Sequence, residues 1–257
     1  MRIPPSINKW VKYKFMRSYK PLRPYLPVTE RLTPHALWSM VDQYSHAVVK
    51  PIGGRQGRGV ISVSKLGNSQ YALHFGTRKR KFTEKRKAYQ FLSKLCGSQA
   101  YIIQRAVTRP SIGRRPFDFR AVVQRNPRTK QWDVTGKLAK VTGSGYFVSN
   151  TIRNGSVLPV ETALKRSSLR GISHRILQSR IDAAAKLSAK RLSALFPYHP
   201  IYGVDIGLDR KGKAWIFEAN LFPGLSQFRK LKDKSMYLRI MKRKKATATR
   251  RKKKKRV

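Results

Sequence analysis

Two periods of apolar residues divide the first half of the chain into predicted helices and strands. Helical spacing predicts one helix from Pro34 to about Tyr44, with Thr33 as its N-cap, and a second helix that Thr83 caps and Gly97 closes. Short apolar runs predict strands around and between these helices. The runs are AVVK (47–50), VISVSKL (60–66), QYALHF (70–75) and YIIQRAV (101–107).

The second half alternates in the same way before one long helix. An antiparallel meander is predicted by FDFRAVVQRN (117–126), QWDVTGKLAKV (131–141) and GYFVSNTI (145–152). Helical spacing over 173–196 predicts an amphipathic helix that Pro197 ends. Residues 1–28 contain five prolines and predict an arm without long elements that packs on the body.

Composition changes this picture mainly through charge. The 257 residues are 40% hydrophobic, enough for a folded core, and they carry 58 Lys and Arg against 11 Asp and Glu, a net charge of +47. Such an excess predicts a surface that attracts nucleic acid, anionic polymers, membrane surfaces or phosphorylated ligands.

The single cysteine, Cys96, excludes an internal disulfide and is expected to pack on a helix. No apolar run reaches 18 residues, so a soluble, cytoplasmic protein without a transmembrane segment is expected.

Three of the eleven acids lie in one stretch, GVDIGLDRKGKAWIFEANLFPG (203–224). Its apolar positions favour a hairpin with Leu208 opposite Lys213, which places Trp215 and Phe217 on the apolar face. The other face then carries the metal-ligand candidates, which are Asp205, Glu218 and Asn220, with Asp205 opposite Ile216 and one diagonal step from Glu218. Two carboxylates and an amide suit Mg²⁺ or Mn²⁺. The alternative is that both acids are paired with arginines.

A glycine-rich segment, KPIGGRQGRG (50–59), joins two predicted strands. It lacks the Walker A lysine and does not open a helix. Its glycines let backbone N–H groups approach an anion, Arg55 and Arg58 add positive charge, and Lys50 lies at the adjoining strand end. The alternative is a flexible hairpin tip.

Two further polar positions carry candidate chemistry. Asp118 and Arg120 share one face of a predicted strand, where an arginine side chain can fork onto phosphate or carboxylate oxygens. The alternative for these two residues is a local ion pair. Asn150, close to Gly155, is also explained by simple turn chemistry.

The order of these segments resembles the ATP-grasp superfamily, and most closely the YheC/YheD-like proteins associated with the endospore coat. The matching segments span about residues 26–230, and the most specific of them has a 13-residue step from Asp205 to Glu218, then Glu-x-Asn and Pro-Gly. The resemblance implies an α+β ATP-grasp fold, in which two lobes with antiparallel sheets clamp ATP. It divides the chain into a basic arm (1–28), an N-terminal lobe with the glycine-rich loop (29–109), a C-terminal lobe with the metal site (110–236) and a basic tail (237–257).

The resemblance also implies roles for individual residues. Lys50 would contact the ATP phosphates and, with Arg120, serve catalysis, while Asp205, Glu218 and Asn220 would hold one or two Mg²⁺ ions. The remaining implied nucleotide contacts are Gly53, Gly54, Gly57 and Gly59 of the closing loop, Gln104, Arg105, Ala106 and Val107 beside adenine, and Asn150 facing phosphate or substrate.

The activity implied is that of a carboxylate-amine or carboxylate-thiol ligase. Such ligases transfer the γ-phosphoryl group of ATP to a carboxylate, and an amine or thiol then displaces phosphate from the acyl phosphate. Two positions depart from the family pattern, because Lys140 stands where an arginine is common and Ser156 replaces a second glycine. Two alternatives stay open: a degenerate ATP-grasp protein that binds nucleotide without turnover, and a polyanion-binding protein that uses RKRKFTEKRK (78–87) and RRKKKKRV (250–257).

Overall fold

The chain folds into two antiparallel sheets with flanking helices. The computed structural model describes residues 3–54, 56–67, 69–148, 155–169 and 171–254, with the backbone alone over 250–254. Within these residues, no helix combines the length and the apolar character needed to cross a bilayer. The mixture of helices and antiparallel strands confirms the α+β class.

The strands, numbered in chain order, are β1 (Thr29–Arg31), β2 (His46–Pro51), β3 (Ile61–Lys65), β4 (Tyr71–Phe75), β5 (Arg78–Phe82), β6 (Tyr101–Arg105), β7 (Ser111–Ile112), β8 (Arg115–Arg125), β9 (Trp132–Val141), β10 (Ser156–Leu158), β11 (Ile201–Leu208) and β12 (Ala214–Asn220). The α-helices are α1 (Lys9–Arg17), α2 (Pro34–Tyr44), α3 (Lys85–Cys96), α4 (Val160–Lys165), α5 (His174–Leu195) and α6 (Ser235–Lys254). Short 3-10 helices cover Lys20–Tyr25 and Ser226–Lys230.

The N-terminal sheet has the strand order β1-β6-β2-β3-β4-β5. Helices α2 and α3 cover one of its faces, because their apolar stripes bury Leu37, Val41 and Leu92 against the sheet. The helix predicted at Pro34–Tyr44 is confirmed, and the Thr33 side chain caps it by accepting a hydrogen bond from the Ala36 N–H. The opposite sheet face carries Lys50 and looks toward the second sheet.

The C-terminal sheet has the strand order β10-β9-β8-β11-β12, with β7 paired to β8. The long helix α5 and the arm helix α1 cover one face and share a core with Phe117, Phe119 and Tyr202. Helix α6 covers part of the other face, where Ile240 is buried against Val122, Leu138 and Phe228. The part of this second face that α6 leaves uncovered carries polar side chains of β8, β9, β11 and β12.

The arm packs on the body as predicted, through a nine-residue helix, α1, which the Asn8 side chain caps. Two predictions about local structure were wrong. Helix α3 begins after Glu84, so Thr83 is not its N-cap. The third meander strand is β10 (Ser156–Leu158), since the described part of the predicted run, residues 145–148, forms no strand and residues 149–152 lie outside the described ranges.

One strand had no apolar signal. β5 (Arg78–Phe82) consists almost entirely of basic residues and pairs with β4 along the exposed edge of the N-terminal sheet. Its pairing comes from the short connection to β4 rather than from burial, and lysines and arginines are typical of edge strands because they discourage edge-to-edge association. Cys96 is buried at the end of α3 as expected, and burial raises the pKa of its thiol to about 11.

The register predicted for the acidic hairpin was also wrong. Leu208 lies opposite Ala214, and Gly207 lies opposite Trp215. The register then shifts between Ile206 and Asp205, because Phe217 is an extra residue on β12 and forms a β-bulge. This bulge keeps Ile216 and Ala219 in the core on either side of it. Trp215 lies on the polar face because it pairs with Gly207 before the bulge, and Phe217 lies on that face at the bulge itself.

Candidate functional site

A cavity of about 480 Å³ lies between the polar faces of the two sheets. The N-terminal sheet contributes Lys50 and the strand edge from Gln104 to Val107, and the C-terminal sheet contributes residues of β8, β9, β11 and β12. The glycine-rich loop and the start of the arm close one side of the cavity. It is therefore a cleft between two sheets, a place where ligands commonly bind.

Most of the predicted site residues line this cavity. They are Lys50, Gly54, Gly57, Gln104, Arg105, Ala106, Val107, Arg120, Asp205, Glu218 and Asn220. Gly53 and Gly59 belong to the same loop but are not among the lining residues. Asn150 lies outside the described residues. The assignment of roles to these positions stays a prediction.

Asp205 lies in a buried network of charges. The Arg120 guanidinium donates to both of its oxygens, with distances of 2.8 and 2.9 Å, and the Lys140 ammonium donates to Oδ1 at 2.8 Å. Burial opposes ionisation of Asp205, but the charges and hydrogen bonds of Arg120 and Lys140 outweigh it and lower the pKa of this carboxyl. The alternative left open by the sequence, an arginine partner, is correct for Asp205, because Asp205 and Arg120 are register partners on neighbouring strands.

The network continues away from Asp205. Lys140 also contacts Asp118 at 3.0 Å, and Asp118 accepts a hydrogen bond of 3.0 Å from Arg109. Arg109 in turn donates to the Phe147 carbonyl at 2.8 Å. Three cations and two carboxylates therefore alternate along the floor of the cavity, so the floor keeps a positive charge.

Glu218 has a different environment. The bulge places it directly opposite Asp205, where the predicted register had put Ile216. Its side chain keeps 26% of its exposure, and its nearest ion-pair partner is Lys9, at 3.5 Å. The Asn220 amide lies beside the two acids and approaches Asp205 Oδ2 at 3.4 Å. Glu218 is therefore the carboxylate of this group that is most accessible from the cavity.

Lys50 is held in place from two sides. Its ammonium donates to Gln104 Oε1 at 2.6 Å and lies 5.7 Å from the centre of the Phe217 ring. Gln104 is fixed in turn, because its amide donates to Thr29 Oγ1 at 2.9 Å. Burial lowers the pKa of Lys50 to about 8, Glu218 opposes this shift, and Lys9 and Arg109 add to it. A bound anion would restore the full charge of this ammonium.

The glycine-rich loop is packed rather than open. Gly57 and Gly59 have φ angles of 67° and 70°, which favour glycine, and a β-carbon on Gly57 would lie 2.9 Å from the Val148 side chain. The arm also contacts the loop, since the Lys9 N–H donates to the Ile52 carbonyl at 3.0 Å and the Lys9 ammonium donates to the Gly54 carbonyl. These contacts hold the loop over the cavity.

The family model for YheC/D-like ATP-grasp proteins matches residues 4–248. The chain belongs to this family. The ATP-grasp fold inferred from the sequence is thereby confirmed, with the two antiparallel sheets as its two halves.

Two curated relatives support the assignment. The endospore coat-associated protein YheD of Bacillus subtilis (strain 168) is 27% identical over 237 residues, which cover 86% of this chain and 49% of YheD. The endospore coat-associated protein YheC of the same organism is 22% identical over 235 residues, which cover 84% of this chain and 60% of YheC. The chain thus spans about half to three fifths of the curated relatives it matches.

A solved structure shows the same fold at low sequence identity. The ADP complex of N5-carboxyaminoimidazole ribonucleotide synthetase superposes with a TM-score of 0.53 at 13% identity, covering 85% of this chain and 45% of that chain. At this identity the likeness concerns the fold alone.

The donor atoms of this ATP-grasp protein fit a hard divalent cation that arrives with phosphate. No group of three or more His, Cys, Asp and Glu side chains that could hold a metal occurs in the described part of the chain. Glu218, Asn220 and Asp205 offer only oxygen ligands, which suits Mg²⁺, and Mg²⁺ commonly takes its other ligands from phosphates and water. Since Asp205 is already paired with Arg120 and Lys140, Glu218 is the better candidate for a first ligand.

Sequence reasoning missed Lys9 and Arg109. Helix α1 buries Lys12, Tyr13 and Met16, and Lys9 extends this stripe by one turn while keeping only 9% of its side-chain exposure. Two lysines on the apolar face of a short helix were the available signal. Arg109 had no such signal, because it lies in a loop and its partners Asp118 and Phe147 come from later segments.

Proposed function

We propose that this ATP-grasp protein binds Mg²⁺·ATP in the cavity and uses it to activate a carboxylate for ligation to an amine or thiol. One observation carries the proposal: Glu218 and Asn220 face Lys50 and the glycine-rich loop across a single cavity. Backbone N–H groups and lysines of one sheet can hold the phosphates while oxygen ligands of the other sheet hold their cation. The membership of the ATP-grasp family supports the same assignment.

The proposal gives the side chains of the cavity separate roles in binding the base, the phosphates and the cation. The edge from Gln104 to Val107 would contact the base, and Lys50 and Lys9 would neutralise phosphate oxygens. Glu218, Asn220 and, after release from one partner, Asp205 would hold Mg²⁺, which when bound neutralises charge on the transferred phosphoryl group. Arg120 and Lys140 would stabilise the charge that develops where the carboxylate meets the γ-phosphorus.

The proposed ligation has two chemical steps, phosphoryl transfer to the carboxylate and displacement of phosphate by the amine or thiol. A carboxylate oxygen bonds to the γ-phosphorus as the bond to the β–γ bridging oxygen breaks, which yields an acyl phosphate and ADP. The amine nitrogen or thiol sulfur then attacks the carbonyl carbon, phosphate leaves with its oxygen, and the nucleophile loses a proton. Positioning and charge neutralisation suffice for this chemistry, so no protein nucleophile is required.

Calorimetry of ATP binding tests the proposal. Titrations with Mg²⁺ and with EDTA, at high salt so that the basic surface contributes little, should show one saturable site that needs Mg²⁺. ADP formation should then depend on an added carboxylate. Binding that is equal in Mg²⁺ and EDTA would contradict the proposal, and binding without carboxylate-dependent turnover would support the degenerate alternative.

ATP affinity is expected to fall as the pH rises above about 8. Lys50 has a pKa of about 8, lowered by burial, and anionic phosphates favour its protonated form, so binding raises that pKa. Above pH 8 the protein must take up a proton to bind ATP, whereas below pH 7 Lys50 is already charged. Calorimetry at pH 8.5 in buffers of different ionisation enthalpy should show proton uptake that Lys50→Met abolishes; the same uptake in the variant would assign it to another group.

The polyanion-binding alternative stays a prediction. The basic side chains of β5 are exposed along a sheet edge, and the salt dependence of binding to duplex DNA would check their role, since phosphate contacts weaken steeply with salt. The spore-coat association is stated for YheD and YheC and is likewise a prediction for this chain.

A further inference from the structure

The charge of the cavity points to a class of substrate. We infer that the carboxylate substrate is multiply anionic and carries no free ammonium group beside the reacting carboxylate. This inference rests on the proposed function, because it concerns the substrate of the same cavity.

The acidic side chains of the cavity all have cationic partners. All 11 Asp and Glu of the sequence lie within the described residues, and three of them, Asp118, Asp205 and Glu218, line the cavity. Asp118 pairs with Arg109 and Lys140, Asp205 pairs with Arg120 and Lys140, and Glu218 pairs with Lys9. Because the proposed function assigns the accessible Glu218 to Mg²⁺, no side-chain carboxylate of the cavity is left to receive the ammonium group of a free amino acid.

Cationic side chains outnumber these acids in the cavity. The seven that line it are Lys9, Lys50, Arg58, Arg105, Arg109, Arg120 and Lys140, against three carboxylates, which leaves a net charge of +4 in the described lining. A magnesium-bound nucleoside triphosphate offsets only part of this excess. The remainder favours a second ligand with more than one negative charge.

The general basicity of the protein does not explain these cations. Lys9, Arg109, Arg120 and Lys140 keep only 8 to 13% of their side-chain exposure, unlike the lysines and arginines of the surface. Together with the half-buried Lys50 they number five against the three carboxylates of the cavity, an excess of two. Burying a cation is costly unless an anion compensates it, so this excess of cations favours an anionic ligand. An ammonium group placed among them would be repelled.

A further positive charge lies near the cavity, on β5. His74 stacks edge-on against Phe147, which lines the cavity, and Lys79 is the register partner of His74 on β5. Register partners in a sheet share a face, so the exposed Lys79 lies on the same sheet face as His74. An approaching polycarboxylate would meet a positive field before it reaches Arg109 and Lys140.

Calorimetry with a matched set of probes tests the inference. N-acetylglutamate, N-acetylglutamine, free glutamine and N-acetyl-tetraglutamate differ in carboxylate number and in the ammonium group. Each is titrated at fixed ionic strength with Mg²⁺ and a non-hydrolysable ATP analogue, and again without nucleotide. N-acetylglutamate or the tetrapeptide should bind at least about tenfold more tightly than N-acetylglutamine, with free glutamine weakest. Tighter binding of the tetrapeptide than of N-acetylglutamate would identify a peptide substrate. Equal binding of these two probes would identify a small polycarboxylate.

Variants of Arg109 provide the matched controls. Arg109→Gln should weaken binding of the preferred probe about tenfold, Arg109→Lys should retain most of it, and Arg128→Gln, on an exposed turn, should change it less than about twofold. Glutamine binding as tightly as N-acetylglutamate, or no probe binding at all, would overturn the inference. Failure of the ATP analogue to bind would instead refute the proposed function, so the two failures are distinguishable.

Discussion

Glu218→Gln is expected to remove the Mg²⁺-dependent part of ATP binding while the fold survives. The amide keeps the size of the side chain but loses the charge that a hard cation requires, and Glu218 is the most accessible carboxylate of its group. Loss of a ligand to an ion that bridges protein and phosphate should weaken Mg²⁺·ATP binding roughly 100-fold and reduce turnover at least as much. Calorimetry and ADP release measure the two effects.

A control for this variant is Glu161→Gln, which removes an exposed carboxylate that pairs with His174 on the protein surface. It should leave both quantities within about twofold of the wild type, because exposed ion pairs contribute little. Full Mg²⁺-dependent binding by Glu218→Gln would show that this carboxylate has only a structural role, in pairing with Lys9.

Arg120→Met is expected to lower the free energy of unfolding by about 3 kcal/mol. The substitution removes two hydrogen bonds and one charge from Asp205, which stays buried with Lys140 as its remaining cation. Removing Asp205 as well should restore part of the loss, so Arg120→Met/Asp205→Asn should be more stable than Arg120→Met alone. Urea denaturation of the variants measures the differences.

The matched control is Arg243→Met, which breaks a pair with Asp133 at 2.9 Å near the surface, where the side chains keep 23% and 37% of their exposure. That change should cost less than about 1 kcal/mol. The pKa of Asp205 lies below its ordinary value, so the pair stabilises the fold above the unfolded pKa of an aspartate and loses this effect only in strong acid. The deficit of Arg120→Met should therefore persist at pH 5; equal stabilities of Arg120→Met and Arg243→Met would refute the argument.

Local patterns were sufficient where burial and capping act within a few residues. Helix α2 follows from Thr33, Pro34 and the apolar stripe after them. The motif with the 13-residue step from Asp205 to Glu218 indicated the family, which the match over residues 4–248 confirmed. These features depend on neighbours along the chain.

The hairpin register could not be read in the same way. Alternation assumes a regular ladder and a known loop length. The turn instead places Leu208 opposite Ala214, and the extra residue at Phe217 then brings Glu218 opposite Asp205. Gly207 leaves room for the Phe217 ring, since a β-carbon there would lie 2.3 Å from it. That close contact, and with it the direct opposition of Asp205 and Glu218, depends on how two strands meet.

By itself, then, the sequence determined the elements with strong apolar periods, the excess of positive charge and the set of candidate residues, because these depend on residue types and short spacings. Only the tertiary structure decided which charges are partners. It brought Lys9 of the arm to Glu218, 209 positions away, and gave Asp205 to Arg120 and Lys140. Such contacts form where distant segments are buried together. The spacing of residues along the chain does not show the free-energy cost of leaving a charge unpaired at such a place.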